Sequence, residues 1–240
     1  MSEAALAPAS QLRVGGFVPF TTSDYPDALA AVIFCQGCPW RCTYCHNPHL
    51  IPAEGRHEHE FPNIVDWLGA RRGLLDAVVF SGGEPTAQPA LPAAIESVRE
   101  LGFSVGLHTA GAYPRRLAQV LPRVHWVGID VKARGAGYPT LTGGATSGKT
   151  AFASLDLVIG SGVAYEVRTT VHPALLTSGT LVGLACELAQ HGVVRWILQI
   201  FRARGCASDE LAASANAGWT ADTALLAQLS RYVPSIELRG

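Results

Sequence analysis

Six apolar runs of strand length, separated by segments of helical spacing, constrain this chain more than any other feature of its sequence. The runs are residues 30–35, 76–81, 103–108, 126–131, 165–171 and 195–200. The helix-patterned segments are 63–70, 91–101, 114–121, 151–159 and 181–190, with a last helix at 220–231. Near-continuous Val/Ile/Leu strands joined by helices predict a parallel sheet covered on both faces. Six of them fit a doubly wound sheet or an open barrel. In either, functional side chains gather at the carboxyl ends of the strands. Residues 12–20 are expected to form a small hairpin ahead of the first run. The Gly/Pro/Thr-rich stretch 135–148 is the longest irregular segment and reads as a surface loop. No linker, repeat or low-complexity segment divides residues 1–240, so one domain is expected.

Composition supports a packed core. Hydrophobic residues make up 48% of the chain and charged residues 15%, against about 25% charged in an average soluble domain. Disorder is thereby excluded. A net charge of -1 provides no overall basic field, so neither nucleic acid nor a membrane surface is an expected partner. No apolar run approaches the roughly 18 residues of a membrane span. The opening Met-Ser-Glu-Ala-Ala-Leu lacks the basic start and apolar stretch of a signal peptide. A cytoplasmic location is expected.

Four of the six cysteines, Cys35, Cys38, Cys42 and Cys45, lie within eleven residues; Cys186 and Cys206 stand apart. A disulfide framework spreads its cysteines through a small secreted chain. This cluster reads as metal or cluster ligation instead. Cys38-Pro-Trp-Arg-Cys42-Thr-Tyr-Cys45 is a C-x3-C-x2-C pattern that begins where the first run ends. Three thiolates on one loop can hold three irons of a [4Fe-4S] cluster and leave the fourth open to a substrate, as a catalytic zinc site leaves a position open. The alternatives are a structural zinc site of all four cysteines or a ferredoxin-type cluster. Zinc modules usually place their pairs further apart, and a ferredoxin-type cluster requires a fourth ligand. Cys35, inside the run, reads as a small buried residue.

The other strand ends carry a second set of candidates. Ser81-Gly82-Gly83-Glu84-Pro85-Thr86 follows the second run, and His108-Thr109-Ala110-Gly111 closes the third. Asp130-Val131-Lys132 closes the fourth; Arg168 lies in the fifth and His172 ends it; Gln199 and Arg202 end the sixth. Each alone reads as a turn, a solvated strand end or a surface ion pair of little value. All of them point to one rim. Glycines let a ligand approach the backbone closely. Lys132 offers a cation for a carboxylate, Asp130 an acceptor, and Arg168 a bidentate donor.

The segment Gln36-Gly37-Cys38-Pro-Trp-Arg-Cys42-Thr-Tyr44-Cys45-His46-Asn47, with Asp24-Tyr25-Pro26 upstream, resembles the radical S-adenosylmethionine enzymes. Within them it is similar to the activators of glycyl radical enzymes, most of all to those of anaerobic ribonucleoside-triphosphate reductase. The resemblance covers about residues 15–202, leaving a helical extension at 203–240. It implies a partial (β/α)6 barrel of the TIM-like kind with a short N-terminal hairpin extension. It implies one [4Fe-4S] cluster on Cys38, Cys42 and Cys45, and S-adenosylmethionine held among Tyr44, His46, Gly82, Gly83, Glu84, Thr109, Asp130, Lys132, Arg168, His172 and Arg202. No side chain need act as an acid or base, because the cluster and S-adenosylmethionine carry the chemistry. The partner implied is a glycyl radical enzyme, with ribonucleotide reductase first and pyruvate formate-lyase second. A low-potential flavodoxin or ferredoxin would supply the electron. A radical enzyme that modifies a small molecule or RNA is the other reading of the same cluster. Two departures stand out. His108-Thr109-Ala110-Gly111 replaces the Asp-Thr-Asn-Gly of pyruvate formate-lyase activators, and Arg202 stands where they carry a histidine.

Gly143-Gly144-Ala-Thr-Ser-Gly148-Lys149-Thr150 matches G-x-x-x-x-G-K-[ST]. A phosphate loop needs a buried strand directly before it, and residues 137–142 are no such strand. The match reads as a loop leading into a helix. His57-Glu58-His59-Glu60 reads as a solvated charged turn.

Overall fold

All six runs are strands, and three further strands join them in one sheet. The computed structural model of the protein describes residues 7–55, 59–214 and 222–240. Its strands are β1 (Arg13–Thr21), β2 (Ala30–Cys35), β3 (His59–Glu60), β4 (Ala77–Gly82), β5 (Ser104–Thr109), β6 (Trp126–Asp130), β7 (Ala164–Val171), β8 (Arg195–Ile200) and β9 (Ser235–Arg239). They form one sheet in the order β3-β1-β2-β4-β5-β6-β7-β8-β9. β2 and β4 to β9 run parallel, and β1 is antiparallel to both β2 and β3. The helices are α1 (Phe61–Gly69), α2 (Leu91–Glu100), α3 (Pro114–Val120), α4 (Tyr138–Thr142), α5 (Ser147–Ser161), α6 (Ser178–Gln190), α7 (Asp209–Ala213) and α8 (Thr223–Leu229).

The strands read as continuous apolar runs because both faces are covered. Ile33, Phe80, Leu107, Ile129, Val167 and Leu198 belong to the core shared with the helices. Ala30, Val32, Ala77 and Val79 form a second cluster, with Tyr25 and Phe34 against it. In α2, Leu91, Ala94, Ile95 and Val98 make the buried stripe expected at helical spacing. Prolines open α1 to α4, where a missing N–H costs no intrahelical bond. Asp130 and Arg168 are register partners on adjacent strands, so their side chains emerge side by side on one face.

The expected N-terminal hairpin is present: residues 12–20 supply one arm, β1, which pairs antiparallel with β2 from Val14↔Cys35 to Thr21↔Ala30. Four other expectations are corrected. The stretch 135–148 is not a surface loop, because Tyr138 is fully buried and Leu141 and Thr142 are buried beside it. The segment 203–240 is not purely helical: β9 extends the parallel sheet, with Gln199↔Arg239 in register. The last helix is α8, shorter than 220–231, of which 220–221 lie outside the described residues. His59 and Glu60 pair with β1 rather than forming a free turn, while His57, Glu58 and residues 1–6 lie outside the described residues. No helix among the described residues is long and apolar enough to cross a membrane.

Candidate active site

The cysteine loop leaves the end of β2 and is stapled along its length by backbone hydrogen bonds. Gly37 N–H donates to Leu50 O and Cys38 N–H to Ile51 O, at 2.8 and 3.0 Å. The buried Gln36 amide donates to the carbonyls of His49 and Pro52. Arg41 and Thr43 donate their backbone N–H groups to Thr142 and Leu141, at 2.8 and 3.0 Å. Trp40 packs edge-on to Tyr138, whose hydroxyl accepts from the Lys132 N–H at 2.9 Å. The stretch 138–144 is thus the back wall of the cysteine loop.

Cys38, Cys42 and Cys45 line one cavity of about 370 Å³. Tyr44, His46, Gly82, Gly83, Thr109, Asp130, Lys132 and Arg168 line it with them. Eleven of the fourteen expected site residues therefore converge there. Asp24, Ser81, His108, Thr170 and Gln199 are also part of the wall. A second cavity of about 520 Å³ shares Asp24, His46, Arg168, Thr170 and Gln199 with it and adds Arg202, Arg204 and Arg239. Both are of the size that takes a small-molecule ligand.

The three thiols fit a [4Fe-4S] cluster. They are the soft ligands that iron–sulfur centres require, and all three face one space. Cys35 does not join them: it is fully buried in the apolar core, which removes the fourth ligand from a four-cysteine zinc site. Among the described residues no three Cys, His, Asp or Glu side chains surround a single-ion position. Burial pushes the Cys38 thiol up to about 12 and raises that of Cys42, against the pull of Lys132 on the latter. Only a bound metal centre displaces such protons near neutrality. The Tyr44 hydroxyl is buried without a hydrogen-bond partner among the described residues, which suits a cavity completed by an added group.

A charged triad lines the same cavity as the thiols. Arg168 Nε donates to Asp130 Oδ1 at 3.0 Å, and Lys132 Nζ lies 3.4 Å from Asp130 Oδ2. Burial works against the Asp130 charge, but Arg168 and then Lys132 outweigh it and hold the carboxyl below its usual range. Burial also opposes the Lys132 charge, yet its surroundings, Asp130 among them, keep the ammonium pKa well above the ordinary value. Two cations on one carboxylate leave a net positive wall, suited to a ligand carboxylate. Gly106 and Gly128 make room on the same face: a Cβ on Gly128 would sit 2.8 Å from the Arg168 guanidinium. Gly82 has φ +111, and a Cβ there would lie 2.5 Å from Cys35 N. Only glycine fits that turn.

Three expected contacts do not line the cysteine cavity. Glu84 is fully buried, and its carboxylate accepts from Thr86 N–H and hydroxyl, Thr109 hydroxyl and Ala110 N–H. It ties the end of β4 to the end of β5 rather than facing a ligand. His172 is buried, with Nδ1 accepting from Ala174 N–H and Nε2 donating to Leu211 O. Both ring nitrogens are used, so it fastens α7 to the end of β7. Arg202 lies in the second cavity and donates to Gly240 O at 2.8 Å.

Thr170 carried no sequence signal and is brought to the rim by the strand register alone, whereas Ser81 opens the Ser-Gly-Gly-Glu motif. His108 and Asp24 did stand in quoted motifs. The His108 ring accepts at Nδ1 from the Ser81 hydroxyl and donates at Nε2 to Asp24 O. Burial, helped by Arg168, lowers its pKa to about 3. His46 donates from Nε2 to Arg202 O at 2.8 Å, and burial lowers its pKa as well. The phosphate-loop match has no strand before it: α4 precedes and α5 follows, and Lys149 is exposed.

The family model described as the Radical SAM superfamily matches residues 32–175. A protein of Methanocaldococcus jannaschii named as a glycyl-radical enzyme activating enzyme is 34% identical over 183 residues, covering 72% of this chain and 73% of that protein. The pyruvate formate-lyase-activating enzyme of Clostridium pasteurianum is 31% identical over 156 residues, covering 62% and 65%. Among solved structures, Streptococcus suis SuiB bound to its precursor peptide SuiA superposes with a TM-score of 0.62 at 14% identity over 87% of this chain and 48% of that one. This chain therefore spans about half the length of SuiB. A domain of the pyruvate-formate lyase-activating enzyme of Bacteroides vulgatus gives a TM-score of 0.53 at 15% identity, over 69% and 99%. At those identities the structures share the fold, a mixed α/β partial barrel.

Proposed function

Because this chain belongs to the radical S-adenosylmethionine superfamily and, within it, to the glycyl-radical enzyme activating enzymes, we propose that it makes a 5′-deoxyadenosyl radical and uses it to take a hydrogen atom from one glycine of a partner enzyme. A [4Fe-4S] cluster held by Cys38, Cys42 and Cys45 would supply the one electron that splits S-adenosylmethionine into methionine and that radical. The observation that carries the reading is the shared cavity, lined by three thiols together with Asp130, Lys132 and Arg168. Lys132 and Arg168 would orient the methionyl carboxylate by charge. The Gly82–Gly83 backbone would receive the methionyl amino group, since no side chain intervenes. The second cavity, sharing Asp24, Thr170 and Gln199 with the first, would admit the partner's glycine segment. The hydrogen atom moves from the glycine Cα to C5′, giving 5′-deoxyadenosine and a glycyl radical delocalised over its flanking amides.

Two partners compete. The resemblance of Pro39-Trp40-Arg41 and Tyr25-Pro26 favoured anaerobic ribonucleotide reductase. Two of those side chains have local tasks here: Trp40 packs on Tyr138, and Tyr25 lies against Gly106 and Trp126. They no longer argue for one partner. The name of the Clostridium pasteurianum relative supports pyruvate formate-lyase or a similar glycyl radical enzyme instead. The test is anaerobic incubation with S-adenosylmethionine, a chemical reductant and each partner in turn. A glycyl radical seen by electron paramagnetic resonance on one enzyme identifies the partner. If both stay silent while 5′-deoxyadenosine accumulates on addition of RNA or a small molecule, the chain is a modifying enzyme instead.

A further inference from the structure

The proposed reaction needs an electron from outside, and the substrate cavities are the wrong entrance for it. S-adenosylmethionine and the partner's glycine segment would fill both. The electron must reach the thiol loop from its outer side, and electron transfer falls steeply with distance. On that side the covering is thin. Pro39, Arg41 and Thr43 of the loop are themselves exposed, so Cys42 has a surface residue on each side.

The segment that resembled a phosphate loop forms the rest of this face. Its Gly143 comes within 3.9 Å of the Arg41 side chain, measured from the position of an added Cβ. Gly148, one residue before Lys149, abuts Gly135, next to Arg134. Arg41, Arg134 and Lys149 are all exposed. Residues 36–53 and 131–155 contain no Asp or Glu, although the whole chain has 19. Among the described residues, the acid paired with these cations is Glu187, which meets Arg134 at 3.6 Å. A chain of net charge -1 thus shows a local basic face over its thiol loop. Small residues between the cations, Gly143, Ala145 and Thr146, let a partner come close.

We infer that the outer face of the cysteine loop, framed by Arg41, Arg134 and Lys149, docks an acidic one-electron donor protein. This rests on the proposed function and names the route of its electron. In the step, the donor is oxidised by one electron and the cluster on Cys38, Cys42 and Cys45 is reduced by one; no bond forms or breaks. Opposite charges steer such encounters, and salt screens them.

The test uses reconstituted full-length protein, with a reduced flavodoxin of net negative charge or dithionite as alternative electron sources. Lys149→Glu and the double variant Arg41→Glu/Lys149→Glu are compared with the unaltered chain. With flavodoxin at low salt, the cluster's absorbance should bleach more slowly, by about 3- to 10-fold in the double variant. The difference should shrink as salt rises, and bleaching by dithionite should be unchanged. Equal flavodoxin rates for all forms, with cleavage of S-adenosylmethionine intact under dithionite, would overturn the docking face alone. Loss of cleavage in the unaltered chain under dithionite would overturn the proposed function instead.

Discussion

Glu84→Gln separates a structural carboxylate from a ligand-binding one. In the fold, Oε1 accepts from Thr86 N–H at 3.1 Å and from the hydroxyls of Thr86 and Thr109, while Oε2 accepts from Ala110 N–H at 2.9 Å. Burial pushes the carboxyl above its usual range, and these four donors pull it back. Glutamine keeps the shape and one oxygen. Its amide nitrogen then faces the Ala110 N–H, donor against donor. A stranded buried N–H costs about 1–3 kcal/mol. Alanine strands both backbone N–H groups and empties the space, for about 3–5 kcal/mol. For a chain of this size 1 kcal/mol moves the melting temperature by about 2–4 °C. Thermal unfolding of the metal-free variants should therefore show losses of about 2–12 °C for glutamine and more for alanine. Binding of S-adenosylmethionine to reconstituted Glu84→Gln at low temperature should stay close to that of the unaltered protein. An unchanged melting temperature with a tenfold loss of affinity would refute the structural role and return Glu84 to the ligand.

Three further outcomes follow from the same geometry. His108 has its pKa lowered to about 3 in the fold, against about 6.5 unfolded. The unfolded chain binds the extra proton first, so stability is present above about pH 6.5 and is lost as pH falls, by up to about 2 kcal/mol between pH 7 and pH 5. His108→Gln should remove that part of the slope in urea midpoints, and an identical slope would contradict it. Asp130→Asn leaves Arg168 and Lys132 facing each other without their anion; chemical denaturation should show a loss of about 2 kcal/mol or more, and unchanged stability would show that the triad is not coupled. His172→Ala should cost about 1–3 kcal/mol through its two lost hydrogen bonds, while turnover per folded molecule is kept; a selective loss of S-adenosylmethionine affinity would make it a ligand after all.

The six long strands were legible because each is an apolar run buried on both faces, and their carboxyl ends foretold the rim. β9 was not. It has only Ile236 and Leu238 among five residues, and its charges are satisfied at a distance: Arg239 pairs with buried Glu166, and Glu237 with Arg195. Its Ser-Ile-Glu-Leu-Arg alternates polar and apolar residues as a half-buried strand does, but five residues with charged positions are a weak signal beside the apolar runs. The stretch 135–148 misled for a similar reason. Its Gly, Pro and Thr residues signal a loop, while Tyr138 anchors it under Lys132 and Trp40 and the Leu141 and Thr142 carbonyls tie it to the cysteine loop. The thiols and the Asp130–Lys132 pair sit where their motifs place them. Glu84 and His172 do not, because a motif records residue type and spacing but not which way a buried side chain turns.

Cleavage of S-adenosylmethionine by cysteine variants bears most directly on the central claim. The protein is purified without oxygen, reconstituted with iron and sulfide, reduced, and assayed for 5′-deoxyadenosine by chromatography. Cleavage should vanish in Cys38→Ala, Cys42→Ala and Cys45→Ala and persist in Cys35→Ala, whose thiol lies in the apolar core. Cleavage lost equally in Cys35→Ala, or a protein that takes up zinc and makes no 5′-deoxyadenosine under strong reduction, would contradict the account.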